Sequence, residues 1–324
     1  MKNTTQTAAI AEGAMMAAIT AILGLTGIYF PFIKIFTDMI WTVPIIVLII
    51  RHGISIGVLA MTVAGILIFS MSNPIKALIL VIQFGALSIF YGYSFKKKSS
   101  PGIVIFIGTG VALASGLLSI FLMITFFGPE QFDVVRLMKD SVEPMMELYK
   151  NGGLFSNPAR TGITEEMVRQ IVEYSVKIMS LLIPAFIIVW GYSVAFINYM
   201  VSDKILNKLR ISTHPIAPFR EWELPWWIVY GFIIGFGAYL IGKEREVTQL
   251  VTVGLNIMMV YVPVLFISGL SVVVFYMKKY FASRTFKIIT FIFCLLFFQT
   301  IIFAIASVGF FDLLINFRKL PRGG

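Results

Sequence analysis

Polar side chains that could bind a ligand are scarce in this 324-residue chain, and they lie inside or beside long apolar stretches. Asp38 and Trp41 place a carboxylate and an aromatic ring one helical turn apart at the outer mouth of a short apolar stretch, which suits a cationic or heterocyclic ligand. An interfacial anchor explains these two residues equally well. Asn256 and Gln299 lie deeper, where each can bond a facing helix or line a pocket. These four are the candidate substrate-binding residues.

Catalytic chemistry has little support in the sequence. There is no G-x-x-x-x-G-K-[ST] phosphate loop, and neither His52 nor His214 belongs to an H-E-x-x-H or paired-histidine zinc pattern. No apolar stretch holds a charged pair of the kind that an intramembrane protease or a proton relay uses. Cys294 is the single cysteine, which rules out an intrachain disulfide and a zinc-thiolate site. We expect a protein that is not an enzyme and has no cofactor and no metal site.

The elements that must position the candidate residues are long stretches without Asp, Glu, Lys or Arg. Eight of them reach about the 20 residues that a helix needs to cross the hydrocarbon core: 13–33, 52–75, 77–95, 99–129, 178–201, 224–242, 247–277 and 288–311; a shorter one covers 39–50. Because lipid cannot satisfy backbone groups, each stretch must form a helix. Hydrophobic residues make up 58% and charged residues 13%, far from a soluble domain. The predicted fold class is all-α, a polytopic transmembrane helical bundle of eight to nine spans.

The net charge of +10 is concentrated in short loops beside the apolar stretches, at 96–98, 204–220 and 278–287. The positive-inside rule places these loops, and with them the N-terminus, in the cytoplasm. Segment 130–177, with eight acids against six bases, then lies outside. Basic loops of this kind also contact the lipid bilayer at anionic headgroups. No base-reading motif accompanies them, so we expect no nucleic-acid binding.

The C-terminal end fits two topologies. A ninth span would leave Arg318, Lys319 and Arg322 outside, against the positive-inside rule. Either the run from 287 to 316 is a hairpin, or residues 312–319 lie along the interface as an amphipathic tail. The sequence supports both alternatives.

The outer segment 130–177 is the sizeable part of the chain that is not hydrophobic. Its first half consists of helix formers and is stopped by Asn-Gly-Gly at 151–153. Thr164 is placed to cap a second helix, with Glu165 and Glu166 in the positive first turn. The segment is either a surface helical hairpin that continues into the next span or a lid over an outward-facing pocket.

Small residues repeat along the first apolar stretch. Ala9, Gly13, Ala17 and Ala21 follow each other at four-residue spacing, so they share one helix face. Small residues on one face let a second backbone approach closely, and this is how helices associate in lipid. The approaching helix belongs either to this chain or to a partner subunit. We take the four residues as candidate partner-docking positions.

The segment from Pro44 to Gly53 is more specific. It predicts a short helix, kinked by Pro44, that returns at the basic turn Arg51-His52-Gly53, where glycine supplies the permissive backbone. This junction and the alanine-rich first helix resemble the S components of energy-coupling factor vitamin transporters. The resemblance covers residues 8–201. It implies a six-helix core over 1–203, solute capture at the outer face, a coupling transmembrane subunit and separate ATPase subunits.

Two C-terminal segments narrow the resemblance. Residues 223–227 (ELPWW) open a later span, and residues 309–319 close the chain with Asp312 and with Asn-Phe-Arg-Lys at 316–319. Together with the front half, they are similar to the YybS-like family of predicted bacterial membrane proteins, whose activity is not established. This resemblance implies a multi-pass protein of the bacterial cytoplasmic membrane. Residues 204–324 would then form a cytoplasmic loop followed by two to three further transmembrane helices.

Two functions fit this sequence. The first is a transport-related subunit that binds a small solute and depends on separate coupling and ATPase proteins. The second is a non-transporting scaffold or regulator that binds other membrane proteins through the small-residue face. Neither the solute nor the oligomeric state can be read from the residues.

Overall fold

The computed structural model describes residues 2–153, 164–280 and 298–320, and within these ranges the regular structure is helical with no strand. Seven helical stretches among the described residues are long and apolar enough to cross a membrane, one of them the interrupted stretch Pro31–His52, and a shorter apolar helix covers Thr300–Ile315. The predicted all-α polytopic bundle is therefore confirmed. Cys294 and the start of the last apolar stretch lie outside the described residues.

The helices fall into two compact units. Unit 1 comprises Met1–Asp133 and Trp190–Pro215, and unit 2 comprises Val134–Val189 and Ile216–Gly324. This grouping places the outer segment with the later helices. The predicted division after residue 203 rests on the family resemblance and stays a prediction.

Unit 1 is built from crossing helices. In chain order they are α1 (Lys2–Tyr29), α2 (Lys34–Ile40), α3 (Val43–His52), α4 (Ile54–Met71), α5 (Pro74–Lys96), α6 (Pro101–Phe127) and the second part of α10 (Ile183–Lys208). Prolines open α5 and α6, where the missing N–H would have no helical partner. Gly53 and Gly128, at φ of 95° and 85°, end α3 and α6.

Helix α3 forms the centre of unit 1. Its residues from Val43 to Ile49 are all buried. Glycines on its neighbours make this possible, because a β-carbon at Gly92 of α5 would lie 2.7 Å from Ile49 Cβ, and Gly57 of α4 faces the same side chain. The predicted kink at Pro44 is a break in the structure: α2 ends at Ile40, and Pro44 is the second residue of α3, which begins at Val43. Pro44 has no N–H to continue the helical bonding of α2.

The basic loops of unit 1 share one end of it. Gly13 faces Ile56, and Tyr29 Oη donates to the carbonyl of Met71, so α1 and α4 run in parallel and α3 returns between them. The turn after α3 and the end of α5 meet, since Lys96 Nζ lies 4.0 Å from where a β-carbon on Gly53 would be. The charge pattern predicts this arrangement, because consecutive helices alternate in direction and the basic loops then fall at one end.

The described residues of the outer segment of unit 2 include three helices: α7 (Val134–Asp140), α8 (Val142–Asn151) and α9 (Glu165–Leu181). The predicted cap of α9 is confirmed, because Thr164 Oγ1 accepts from the backbone N–H of Met167 at 3.2 Å. Arg169 of α9 donates to Glu143 of α8 at 2.6 Å, and this bond lowers the pKa of the Glu143 carboxyl. The lid alternative is not tested by these contacts.

The later helices of unit 2 among the described residues are α11 (Ile228–Glu244), α12 (Thr248–Tyr280) and α13 (Phe298–Ile315). Helices α12 and α13 touch at two glycines, since a β-carbon on Gly309 would lie 2.6 Å from the backbone nitrogen of Gly269. Nearer the ends of both helices, Tyr276 Oη donates to the carbonyl of Phe317 at 2.9 Å. The two contacting pairs rise together in residue number, so α12 and α13 are parallel.

This parallel packing bears on the topology of the C-terminus. Helix α13 begins at the opposite end of unit 2 from the point where α12 finishes. The first part of the predicted hairpin lies outside the described residues, so the hairpin stays a prediction. Because α12 and α13 are parallel, Arg318 and Lys319 lie at the same end of the unit as Lys278 and Lys279. The interfacial-tail alternative does not describe Asp312 and Arg318, which are both buried within the protein.

We expect single cysteines at Lys279 and Lys319, placed in a Cys294→Ser background, to react with a membrane-impermeant thiol reagent from the same side of the membrane. A cysteine at Arg245, in the link between α11 and α12, should react from the opposite side. Labelling of intact cells and of inverted vesicles measures both. Reaction of the Lys279 and Lys319 positions from opposite sides would contradict the parallel arrangement.

Candidate functional site

Trp41 lies at the interruption between α2 and α3 and is 0% exposed. Its ring packs against Phe84 of α5, with the ring centroids 6.2 Å apart. On the other side α1 closes over the indole at Gly24, where a β-carbon would lie only 3.1 Å from Trp41 Nε1. This indole N–H has no hydrogen-bond partner in the described structure. Trp41 is therefore a core residue with an unused donor, rather than a residue at an exposed mouth.

Asp38 lies one turn before Trp41 on α2. Its carboxylate pairs with Lys34 at 2.6 Å, and both side chains remain partly exposed. Because Lys34 compensates its charge, Asp38 is not a free carboxylate for a lone cation. The pair instead offers one charge of each sign next to the buried indole.

Buried hydrogen bonds connect α10 to the rest of unit 1. Thr42 Oγ1 donates to Asn198 Oδ1 at 3.0 Å, and Asn198 Nδ2 donates to the carbonyl of Val194 at 3.0 Å. Tyr91 Oη donates to the carbonyl of Ala195 at 2.6 Å. Asn198 thus bonds a facing helix, one of the roles that its position in an apolar span suggests. The partner Thr42 follows Trp41 directly, and no sequence signal links it to a residue so far along the chain.

A second polar group of unit 1 joins α1 to the turn after α3. The carboxylate of Glu12 accepts from Arg51, and its other oxygen lies 2.6 Å from His52 Nε2. All three side chains are partly exposed. The contact fixes α1 at Glu12 against the basic turn. No cluster of three His, Cys, Asp or Glu side chains suited to a metal ion occurs among the residues that the structure describes.

Unit 2 contains a buried ion pair that sequence reasoning missed. Arg318 Nη2 lies 2.9 Å from Asp312 Oδ2, and the two side chains are 0% and 3% exposed. Arg318 Nη1 also donates to Ser271 Oγ of α12 at 2.7 Å and to the carbonyl of Arg220 at 2.8 Å. Nη2 further donates to the carbonyl of Trp222 at 2.9 Å. Arg318 therefore joins the C-terminal turn to α12 and to the loop before α11.

The signal that could have revealed this pair was available. The segment 309–319 and the neighbourhood of 223–227 are the two segments that carry the family resemblance, and Arg318 brings them together. The positive-inside rule assigned Arg318 to a solvated basic end instead. One acceptor of the group stays unused, since Asp312 Oδ1 has no partner in the described structure.

We expect Arg318→Leu to lower the free energy of unfolding by about 3–5 kcal/mol, because it leaves a buried carboxylate without its counter-charge. The double variant Arg318→Leu, Asp312→Leu should recover most of that loss. Denaturant unfolding in detergent, analysed as a double-mutant cycle, measures the coupling. The exposed pair Arg136–Asp140 provides the control, with a coupling below about 1 kcal/mol. Equal coupling in the two cycles would contradict the role of the buried pair.

The side chain of Asn256 forms hydrogen bonds on both sides of the break between α9 and α10. Helix α9 ends at Leu181 and α10 begins at Ile183, and Pro184 lacks an N–H. In a continuous helix the N–H of Ala185 would bond the carbonyl of Leu181. The Asn256 carboxamide takes both places: Oδ1 accepts from Ala185 at 2.9 Å, and Nδ2 donates to Leu181 at 2.8 Å. Asn256 therefore replaces a missing backbone bond.

Gln299 lies in the first turn of α13. Its side chain falls outside the described part of the structure, so its binding role stays a prediction.

The four small residues of α1 are covered by the protein itself. Ala9, Gly13, Ala17 and Ala21 are all buried, and Ala17 and Ala21 belong to the core that includes Trp41 and Ile45. The helix facing Gly13 is α4, which presents Ile56. These contacts agree with the alternative of packing within the chain. Docking of a partner at these positions stays a prediction, and it would require α4 to move away.

We expect Ala17→Leu to lower the free energy of unfolding by about 1–3 kcal/mol, because the larger side chain overfills a packed interface. Ala18→Leu is the matched control, since Ala18 is exposed on the same helix and tolerates the added volume. Unfolding of the purified variants in detergent measures the difference. Equal stability of the two variants would contradict the packing of α1 against α4.

The crossing helices and their buried polar contacts define a multi-pass integral membrane protein. Residues 18–313 match a family described as "Predicted membrane protein (DUF2232)", and the chain belongs to this family. The "Uncharacterized protein YybS" of Bacillus subtilis (strain 168) is 26% identical over 278 residues, which cover 85% of this chain and 86% of that protein. The YybS-like resemblance is confirmed, whereas the resemblance to S components stays a prediction. No solved structure matches the chain.

Proposed function

We propose that this protein takes part in transport as a solute-binding membrane subunit rather than as an enzyme. The observation that carries the proposal is the Trp41 indole N–H, which is fully buried and has no acceptor among the described residues. A buried donor without a partner costs about 1–3 kcal/mol. A bound solute that supplies an acceptor atom would offset this cost.

The surroundings of Trp41 suggest what such a solute is like. Because the rings of Trp41 and Phe84 pack against each other, a flat apolar group would pack alongside this aromatic pair rather than between the two rings. The Lys34–Asp38 pair one turn away would bind polar substituents of either sign. Asn256 is excluded from this site because backbone groups of Leu181 and Ala185 occupy its carboxamide. The proposed solute is therefore a small heterocyclic or carbonyl-bearing compound rather than a simple cation.

Entry to the site would pass between α1 and α2. Gly24 and Gly27 of α1 let it close against Trp41 and Thr37, and the Lys34–Asp38 end of α2 is opposite the basic end of unit 1. With a cytoplasmic N-terminus in the bacterial cytoplasmic membrane, solute would be captured at the outer face. Transport would depend on a coupling transmembrane subunit and separate ATPase subunits, as the resemblance to S components implies. The exposed residues Ala14 and Ala18 offer the coupling subunit a small-residue face of α1.

The second candidate is a non-transporting scaffold or regulator. The observation that favours it is an apolar face on α9, before the start of α10. Met167, Ile171 and Tyr174 recur at helical spacing on this face, and all three are exposed. Recovery of a stable membrane-protein partner with no ATPase pair and no bound solute would favour this second function.

We expect a small molecule to co-purify with the wild-type protein from bacterial membranes and to bind Trp41→Phe about tenfold more weakly. Phenylalanine keeps the aromatic packing and removes only the N–H, and a tenfold loss corresponds to about 1.4 kcal/mol. Native mass spectrometry identifies the molecule, and titration of the stripped protein measures its affinity.

Trp227→Phe serves as the control. Trp227 is exposed, and its substitution removes an indole N–H at a different place in the chain. This variant should bind the molecule as the wild type does. Equal binding by Trp41→Phe, or the absence of any co-purifying molecule from the wild-type protein, would count against the proposal.

A further inference from the structure

Six cationic side chains at one end of unit 1 form no ion pair with a carboxylate in the described part of the chain. All six are exposed. We define them as the basic edge: Lys96, Lys97, Lys98, Lys204, Lys208 and Arg210.

Helices α5 and α10 bring the two halves of the basic edge together. Tyr91 of α5 bonds the carbonyl of Ala195 at 2.6 Å, and one turn later Phe95 stacks on Tyr199 with the ring centroids 4.9 Å apart. Both contacts join residues 104 positions apart in the sequence, so the two helices are parallel. They end at the same end of unit 1, with Lys96 closing α5 and Lys208 closing α10.

The acids beside the basic edge are already occupied. Asp203 is buried and accepts from Thr213 at 2.6 Å and from Asn207 at 3.1 Å. Glu12 is held by Arg51 and His52. Neither carboxylate is therefore available to the six exposed cations. The six cations therefore have no carboxylate partner in the described part of unit 1, and an anionic partner would compensate their charge.

Exposed apolar side chains adjoin the cations. Lys97 Nζ lies 4.5 Å from the ring centroid of Tyr93, which is itself exposed. Helix α6 begins at Pro101, three residues after Lys98, and its first turns present Ile103 and the 80% exposed Phe106. Cations followed immediately by membrane-facing apolar groups match a molecule with an anionic head and hydrocarbon chains.

We propose that the basic edge binds the headgroups of anionic phospholipids. An acidic protein segment would satisfy the charge, but it would make no use of the apolar side chains that face the membrane beside the lysines. A lipid satisfies both. This inference concerns the opposite end of unit 1 from the Lys34–Asp38 pair and does not depend on the proposed solute site.

The test uses the full-length protein in phosphatidylcholine nanodiscs with and without phosphatidylglycerol. Native mass spectrometry counts the lipids that stay bound, and competition between the two lipids gives their relative affinity. The variant Lys96→Gln, Lys97→Gln, Lys98→Gln removes three charges of the basic edge. Lys76→Gln, Lys139→Gln, Lys150→Gln is the control, because it removes the same charge from exposed positions elsewhere in the chain.

We expect the wild type and the control to retain phosphatidylglycerol preferentially, and the preference to weaken with added salt. The basic-edge variant should lose about 100-fold in relative affinity, since each lysine at a membrane surface contributes roughly fivefold. An unchanged preference in this variant would overturn the proposal. Equal retention of both lipids by the wild type would also overturn it. The same holds if a protein partner co-purifies only when the basic edge is intact, while the lipid preference does not need this edge.

Discussion

The structure depends on one constraint: hydrocarbon offers no hydrogen bonds, so each polar group inside the bundle must find its partner within the protein. Asn256 meets this constraint at the break before α10, where its carboxamide completes the bonding of Leu181 and Ala185. Arg318 meets it with bonds to Asp312, Ser271 and two loop carbonyls. These side chains hold together segments that are distant in the sequence, and the same bonds fix the position of the C-terminal turn.

Glycine supplies the close approach that such bonding requires. Lipid removes the hydrophobic drive between helices, so packing at short range must stabilise their contacts. Gly92 lets α5 approach Ile49 in the centre of unit 1, and Gly269 and Gly309 let α12 and α13 touch backbone to backbone. Gly24 does the same over Trp41. There the close approach leaves an indole donor buried without an acceptor among the described residues, and the proposed solute site rests on this donor.

Much of the fold could be predicted from the sequence, because a long uncharged segment of this kind can cross a bilayer only as a helix. The all-α class, the cap at Thr164, the interruption at Pro44 and the turn at Gly53 follow from local chemistry, and the structure contains them. The candidate sites were harder to predict. Asp38 and Trp41 are neighbours in the sequence, yet one carboxylate is compensated by Lys34 and the indole is enclosed by α1. Lys34 and Asp38 lie four residues apart on α2, so their spacing could have indicated this ion pair. The burial of the Trp41 indole depends on α1 closing over it, and residue spacing does not encode which helices meet.

The sequence by itself determined the membrane class, the approximate positions of most long helices and the asymmetry of charge, since these follow from the cost of exposing backbone and charge to hydrocarbon. Only the tertiary structure decided which residues pack against each other and which form hydrogen bonds and ion pairs. It buried Ala9, Gly13, Ala17 and Ala21 within the protein and presented Ile56 of α4 to Gly13, joined Thr42 to Asn198, and enclosed Arg318, which the charge rule assigns to a solvated end. The physical reason is that the hydrocarbon requirement acts on each helix separately, whereas packing and hydrogen bonding act between helices that only the folded chain brings together.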